Sequence, residues 1–192
     1  MLDESGKMQA DITVLKRDEG DFMVIATDTA HRHVETHIRR YFEDEQAHAT
    51  ISDATGGCSQ LNIQGPRSRE LLASLTSADV SNAAYPFRTA REIDIGYARV
   101  LCTRITYVGE LGYELFVPAE HALHVWDAVL EAGAAVDLKH VGLKALSSLR
   151  MEKGYRDYGH DMDNTDTVLE CGLGFCCDFE KEVHEGISRL IP

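Results

Sequence analysis

Proline, tryptophan and paired cysteines are scarce or missing in this sequence, and each shortage excludes a class of protein. Only 4 of the 192 residues are proline and 1 is tryptophan, so no Pro-rich linker or recognition segment is present. The 5 cysteines form no Cys-x-x-Cys pair, which favours free thiols in a reducing compartment. No apolar run approaches the roughly 20 residues that span a bilayer. Residues 1–6 are acidic and lack the basic and apolar regions of a signal peptide.

Charge excludes a second group of functions. The chain carries 32 acidic against 19 basic residues, a net charge of -13. Phosphate backbones need a basic face and acidic membranes repel an acidic protein, so we expect neither a nucleic-acid nor a membrane partner. An anionic ligand would need a local basic patch. The hydrophobic fraction of 44% is enough for one domain or for one domain with two lobes.

The order of periodic segments indicates the fold class. Strands are expected in hairpins rather than in βαβ alternation, which favours an α+β fold with mostly antiparallel sheets. No G-x-G-x-x-G occurs to support a dinucleotide fold. The predicted strands are 11–16, 21–26, 49–53, 58–63, two within 91–106, and 113–117. The predicted helices are 29–44, one opening at 65–66, 118–130 and 141–153.

Helical spacing also predicts which side chains are buried. The predicted buried faces are Val34, Ile38, Tyr41 and Phe42 in the first helix, Leu71, Leu72 and Leu75 in the second, Leu123, Trp126, Val129 and Leu130 in the third, and Leu143, Leu146 and Leu149 in the fourth.

The segment from Tyr107 to Glu114 places two glycines between an aromatic residue and a carboxylate. One carboxylate can accept two neighbouring N–H donors, and an aromatic ring can lie on a flat heterocycle. Spacing alone does not separate such a binding site from a plain hairpin with a tyrosine at its rim.

Basic residues cluster at the end of the last predicted helix, where Arg150, Lys153 and Arg156 precede Tyr158. They could complement the helix dipole, or they could form a cationic patch for an anionic ligand. Asp11, at the start of a strand, could be an ordinary turn former or a catalytic carboxylate. The residues alone leave both alternatives open.

Three further groups of residues favour structural roles. His33 and His37 stand four apart on a helix, but no third zinc ligand is evident. Residues 161–166 lack the glycine and the glutamate of a calcium loop, so a solvated loop is expected. Cys176 and Cys177 lie in an apolar stretch, expected to be a strand, without a basic neighbour, which favours core positions over a nucleophile.

These stretches together resemble a known family. The matching segments are Met1-Leu2 with Gly6, Asp11 to Val14, Leu61 to Pro66, Tyr107 to Glu114, Ser148 to Tyr155, and Gly159 to Phe175 in part. The chain resembles the folate-binding domain of the aminomethyltransferase (glycine-cleavage T-protein) family, and within it the C-terminal parts of sarcosine and dimethylglycine dehydrogenases. The resemblance implies ferredoxin-like lobes, tetrahydrofolate as cofactor, and capture of the carbon of a small N-methyl amine donor as 5,10-methylenetetrahydrofolate.

The resemblance also implies roles for individual residues. Asp11 would be the carboxylate near folate N5, Tyr107 would line the pterin pocket, Glu114 would bind the pterin amino edge, and Arg150 and Tyr158 would lie near the pocket. FAD would be held only by a separate or missing dehydrogenase domain. The location would be cytoplasmic, or the mitochondrial matrix in a eukaryote.

The chain departs from the family at several places. Gly6-Lys7 stands where the family often has two glycines, Ala10-Asp11 where the T-protein has paired aspartates, and Leu146 where it has an arginine that contacts folate. The family's N-terminal stretch and C-terminal barrel are not found, so we expect residues 1–192 to be one folate-binding domain of a larger architecture. The alternatives are a glycine-cleavage aminomethyltransferase and a non-catalytic regulatory or inactive fragment that keeps the fold.

Overall fold

The computed structural model describes residues 1–44 and 46–179, which fall into two compact units. Of the described residues, one unit contains 1–44, 46–51 and 156–179, and the other contains 52–155. The elements, in chain order, are β1 (Thr13–Asp18), β2 (Asp21–Ile25), α1 (His31–Asp44), β3 (Cys58–Gln64), α2 (Ser68–Leu75), β4 (Ala90–Ile95), β5 (Ala98–Thr103), β6 (Gly112–Pro118), α3 (Ala122–Gly133) and α4 (Leu143–Glu152). Within the described ranges these strands form two antiparallel sheets, so the α+β prediction is confirmed.

The first unit combines a hairpin, a helix and irregular segments. Strands β1 and β2 pair from Thr13–Ile25 to Asp18–Asp21, with a register shift near the turn. Helix α1 buries Val34 and half-buries Ile38, Tyr41 and Phe42, as the helical spacing predicts. A small core forms elsewhere in the unit from Met8, Met162 and Val168.

The second unit is built on a four-stranded sheet in the order β3-β6-β5-β4. Successive side chains of each strand lie on opposite faces of the sheet, and those on one face pack into the core. Helices α2 and α3 contribute to that core through fully buried Leu71, Leu72 and Val125. The core residues from the sheet are Ile63, Ile93, Ile95, Ala98, Val100, Cys102, Tyr113, Leu115 and Val117.

The opposite face of this sheet is polar near its centre. Strand β3 places Gln60, Asn62 and Gln64 on that face, β6 places Glu114 there, and β5 places Thr103 there. We call these five side chains the polar face.

Several details of the sequence prediction are wrong. Residues 49–53 form no strand and lead to a short 3-10 turn at Thr55–Gly57. The connection from β5 to β6 spans residues 104–111, because β5 ends at Thr103 and not at 106 as expected. Cys176 lies in a 3-10 turn rather than a strand and is exposed, while Cys177 is half-buried. The residues after 179 lie outside the described part of the chain.

The predicted inward faces of the last two helices are right only in part: Val129 is buried as predicted and Leu130 and Leu146 are half-buried, but the other predicted residues are exposed. In α3 the buried residues are Val125, Val129 and Gly133, whereas Leu123 is 71% exposed and Trp126 is 39% exposed. In α4 Leu143 is 81% exposed and Leu149 is 37% exposed, and the buried side chain is Arg150. Helical periodicity shows which residues share a face, but it does not show which face is covered.

Candidate functional site

Glu114 lies at the centre of the polar face, because β6 is flanked by β3 on one side and β5 on the other. It pairs in register with Asn62 and with Thr103. Burial raises the pKa of the Glu114 carboxyl above its ordinary value, and the side-chain amide of Gln60 partly opposes that shift. No charged partner for this carboxylate is found among the described ion pairs. Such a carboxylate is suited to accept hydrogen bonds from a neutral or cationic donor.

Two polar atoms beside Glu114 are buried without a hydrogen-bond partner in the described chain. One is the hydroxyl oxygen Oγ1 of Thr103, a residue only 2% exposed, and the other is the amide nitrogen Nε2 of Gln64. Buried polar groups are nearly always hydrogen-bonded in folded proteins. These two atoms are therefore the first places to look for contacts with a ligand.

Gly112 makes room for the Gln64 side chain. Gln64 and Gly112 are paired in register, and a Cβ atom added at Gly112 would lie 2.1 Å from Gln64 Oε1. The Thr106 hydroxyl donates to the same Oε1 atom at 2.8 Å. The amide is therefore held over Gly112, with its oxygen bound to Thr106.

Tyr107 lies in the connection between β5 and β6, where it is half-buried. The connection is fixed against the end of α4. Gly109 has a φ of 74°, and a Cβ atom added there would lie 2.4 Å from Lys153 Cβ. Lys153 Nζ also forms an ion pair with Glu110 Oε1 at 2.9 Å. The structure thus holds the Tyr107 segment in place by a close backbone approach that only glycine permits.

Arg150 is 5% exposed, and its Nη1 donates to the carbonyl oxygen of Tyr155 at 2.9 Å. The amide of Tyr155 returns a bond to the Arg150 carbonyl at 3.0 Å. Part of the guanidinium therefore stabilises the turn that ends α4. Because Tyr155 and Lys153 also contact Gly109, Arg150 supports the segment that carries Tyr107.

Asp11 belongs to the first unit and lies two residues before the start of β1. Its side chain reaches solvent, yet enough protein surrounds the carboxyl that burial raises its pKa. The Met1 amino group, which donates to the Ala10 carbonyl at 2.8 Å, opposes the shift, and the negative charge of Asp157 adds to it. A carboxylate with a raised pKa is a better proton acceptor than an ordinary aspartate.

Tyr158 lies one residue beyond Asp157, and its hydroxyl donates to the Met8 carbonyl at 3.2 Å. It lines a cleft of the first unit together with His33 and Gly159. The bond to Met8 joins the Tyr158 segment to the strand-like stretch that leads to Asp11. The first unit therefore brings together the segments of Asp11 and Tyr158, and the second unit brings together those of Tyr107, Glu114 and Arg150.

In the part of the chain that the structure describes, no three histidine, cysteine or carboxylate side chains lie close enough together to bind a metal ion. The rings of His33 and His37 are 6.3 Å apart, and the neighbouring His33 lowers the pKa of His37 in addition to the larger effect of burial. Asp163 accepts bonds from the backbone and hydroxyl of Thr165, which indicates a locally closed loop.

Thr103 and Gln64 were not identified as site residues from the sequence. A signal was available, because Gln60, Asn62 and Gln64 alternate with Leu61 and Ile63 along one strand. Alternation with a buried core face would have placed all three amides on one surface.

The fold and this arrangement define a class: an α+β protein with a half-buried carboxylate at the centre of a polar sheet face. Comparison with known proteins then places the chain. The profile of the GCVT N-terminal domain family matches residues 1–181, and the chain belongs to that family.

Several curated relatives cover nearly all of the chain. It is 35% identical over 196 aligned positions to mouse "Sarcosine dehydrogenase, mitochondrial", covering 95% of this chain and 21% of that protein. It is 30% identical to human "Dimethylglycine dehydrogenase, mitochondrial", covering 94% of this chain and 21% of that protein. "Aminomethyltransferase" of Caldanaerobacter subterraneus is 38% identical over 73% of the chain and 37% of that protein. The chain thus spans about a fifth of the length of the dehydrogenases it matches.

Solved structures support the fold. Aminomethyltransferase T of the glycine cleavage system from Bartonella henselae superposes with a TM-score of 0.78 at 21% identity, covering the whole chain and 50% of that protein. Heterotetrameric sarcosine oxidase from Corynebacterium sp. U-96 gives a TM-score of 0.53 at 17% identity over 69% of this chain and 65% of that one. Among the described helices, none is long and apolar enough to cross a membrane.

Proposed function

We propose that the chain is a tetrahydrofolate-binding one-carbon-transfer module that captures the methyl-derived carbon of sarcosine or dimethylglycine as 5,10-methylenetetrahydrofolate. The observation that carries the proposal is the half-buried carboxylate of Glu114, flanked by the Thr103 hydroxyl and the Gln64 amide nitrogen, which are buried without a partner in the described chain. The names of the dehydrogenase relatives, which specify sarcosine and dimethylglycine, support the donor proposed here.

The residues present fit a pterin. A pterin carries a 2-amino group and a neighbouring ring N–H, and one carboxylate can accept both as a paired hydrogen bond. No described ion pair involves Glu114, and the neighbour that bonds its carboxylate is the neutral amide of Gln60. Tyr107, held by the Gly109 contact, supplies an aromatic ring of the kind that packs on a flat heterocycle. Tetrahydrofolate, when bound, supplies the amine nitrogens between which the one-carbon unit is held.

The remaining residues take roles that follow from their surroundings. Asp11, with its raised pKa, is the proposed proton acceptor or electrostatic partner during transfer. Arg150 and Tyr158 support the segments that carry Tyr107 and Asp11, through bonds to Tyr155 and Met8 respectively. Both act as positioning residues in this proposal.

The rest of the proposed reaction lies outside the described site. Oxidation of the N-methyl amine would be carried out by a flavin domain, with FAD bound there and not by this chain. The proposed location is the mitochondrial matrix in a eukaryote, which the relatives named as mitochondrial support, and the cytoplasm otherwise.

Binding of tetrahydrofolate to the chain tests the proposal. Calorimetry on the unaltered chain should give saturable binding, and Glu114→Gln should weaken it at least tenfold, since a hydrogen bond to a charged acceptor contributes about 1.5–3 kcal/mol. Glu92→Gln is the matched control, because Glu92 is an exposed carboxylate of the same sheet that pairs with Arg99. Binding that is absent, or equal in all three proteins, would reject the pocket.

Two relatives support alternative functions. One is "Pyruvate dehydrogenase phosphatase regulatory subunit, mitochondrial" from mouse, 30% identical over 90% of this chain, which favours a non-catalytic role with the fold retained. The other is the aminomethyltransferase named above, which favours glycine cleavage. The Asp11→Asn variant distinguishes the regulatory role from a catalytic one. In a catalytic full-length protein, it should leave folate binding unchanged and reduce one-carbon transfer. A purely regulatory protein would show no transfer even before the substitution.

A further inference from the structure

The polar face contains more hydrogen-bonding groups than a single carboxylate site requires. Glu114 is the acceptor, and on either side of it lies a buried donor without a partner in the described chain. Thr103 stands directly opposite Glu114 on β5. Gln64 lies on β3, opposite Gly112, two positions along β6 from Glu114 on the same face.

The orientation of the Gln64 amide is set by its neighbours. Thr106 donates to Oε1 at 2.8 Å, which leaves Nε2 as the free end of the amide. Gly112 leaves the space that the amide occupies, since any larger residue would collide with it. An amide nitrogen is a donor only, so its missing partner must be an acceptor.

The Thr103 hydroxyl is confined in a similar way. Thr103 is 2% exposed, so neither water nor a ligand reaches its Oγ1 until a covering side chain moves, and this atom has no protein partner in the described residues. Leaving a buried hydroxyl unpaired is unfavourable. The sequence of groups across three strands is therefore donor, carboxylate acceptor, donor.

We infer that Gln64 and Thr103 determine the specificity of this site, by donating to the two acceptors that flank the donor pair held by Glu114. The inference rests on the proposed function and extends it to two residues and one chemical feature. A 2-amino-4-oxo-pyrimidine edge presents acceptor, donor, donor, acceptor in the order O4, N3–H, 2-amino, N1. The array across β3, β6 and β5 is complementary to that order.

The array should reject a 4-amino edge. Replacing the 4-oxo group by an amino group turns an acceptor into a donor, and the neighbouring N3 loses its hydrogen. One of the two protein donors would then face another donor. Sites built to satisfy buried polar groups discriminate strongly against ligands that leave those groups unpaired.

Calorimetry with folic acid and aminopterin tests the inference, because in the pyrimidine ring the two differ only at position 4 and in the N3 hydrogen that depends on it. The unaltered chain should bind folic acid more tightly. Thr103→Val and Gln64→Glu are close in shape to the original residues, and each should weaken folic acid binding about three- to tenfold. The ratio of the two affinities should fall in the variant whose donor faces the 4-position. Gln64→Met serves if Gln64→Glu does not fold, and Glu92→Gln should change neither affinity nor ratio.

Three results would overturn the inference. If the unaltered chain binds and Glu114→Gln weakens binding, but the Thr103 and Gln64 variants bind as the unaltered chain does, the inference fails and the proposed function stands. An unchanged folic acid to aminopterin ratio in both variants also rejects it. If the unaltered chain binds neither compound, nor tetrahydrofolate, the proposed function and the inference fail together.

Discussion

Glu114 and Thr103 lie directly opposite each other on strands β6 and β5, with the Glu114 side chain half-buried and the Thr103 hydroxyl buried without a partner in the described chain. This pair concentrates unsatisfied hydrogen-bonding capacity at the centre of a sheet. A structural protein would gain stability by filling such a position with apolar residues. Retention of polar groups here is consistent with a binding site, where stability is given up for function.

Glu114→Gln should change how stability depends on pH. Because burial raises the pKa of Glu114 in the folded chain, its contribution to the free energy of unfolding is fully present below the ordinary glutamate pKa and is lost as pH rises through the folded value. The variant should therefore be more stable than the unaltered chain at neutral pH and lose this part of the pH dependence. Denaturant unfolding across that range measures it. A variant that is less stable at neutral pH would argue against a desolvated carboxylate.

Asp157→Asn should lower the pKa of Asp11. The negative charge of Asp157 adds to the raised pKa of Asp11, after the larger contribution of burial, so removing that charge makes ionisation of Asp11 easier. Titration of the Asp11 carboxyl carbon by NMR measures the shift. Asp163→Asn, at an exposed aspartate of the same unit, is the control. An unchanged pKa in Asp157→Asn would show that the two carboxylates do not interact.

Gly112→Ala should separate binding from stability. The added Cβ would lie 2.1 Å from Gln64 Oε1, the far end of a flexible side chain that can move aside. A change of rotamer costs about 1 kcal/mol, so unfolding should change little. Folate binding should fall as it does in the Gln64 variants, because the amide leaves its position. Gly57→Ala, with no atom within 4 Å of the new Cβ, is the control and should alter neither property.

Gly109→Ala should destabilise the second unit more than Gly154→Ala does. Both glycines have positive φ, 74° and 70°, so both substitutions add backbone strain of about 1 kcal/mol. Only the Cβ at Gly109 meets other atoms, the nearest being Lys153 Cβ at 2.4 Å. The excess loss of unfolding free energy, about 1–3 kcal/mol, measures how tightly the Tyr107 segment is fixed. Equal losses in the two variants would mean that the segment yields easily.

The sequence predicts elements well where a local pattern determines them. The hairpin of β1 and β2, helix α1 and strands β3 and β6 lie within a few residues of their expected positions. Tertiary packing decides what local pattern cannot. Leu123 in α3 and Leu143 in α4 each lie at helical spacing from other apolar residues of the same helix, yet both are exposed. Arg150 in α4 is buried, and its guanidinium binds the Tyr155 carbonyl.

The site was predictable in part for the same reason. Glu114 and Tyr107 are near each other in sequence and belong to a segment that resembles the family. Thr103 joins Glu114 through the β5-β6 pairing, eleven positions along the chain, whereas Gln64 joins them through the pairing of β3 with β6, between residues 48 positions apart. Alternation along β3 indicates which side of its strand Gln64 occupies, but it does not indicate that β3 pairs with β6.

A crystal structure of the chain with bound tetrahydrofolate would show whether Glu114 binds the pterin. We expect the 2-amino edge of the pterin within hydrogen-bonding distance of the Glu114 carboxylate, with Gln64 Nε2 and Thr103 Oγ1 each bonded to a ring acceptor. A pterin ring bound elsewhere on the chain, with Glu114, Gln64 and Thr103 not in contact with it, would show that the proposed site is wrong.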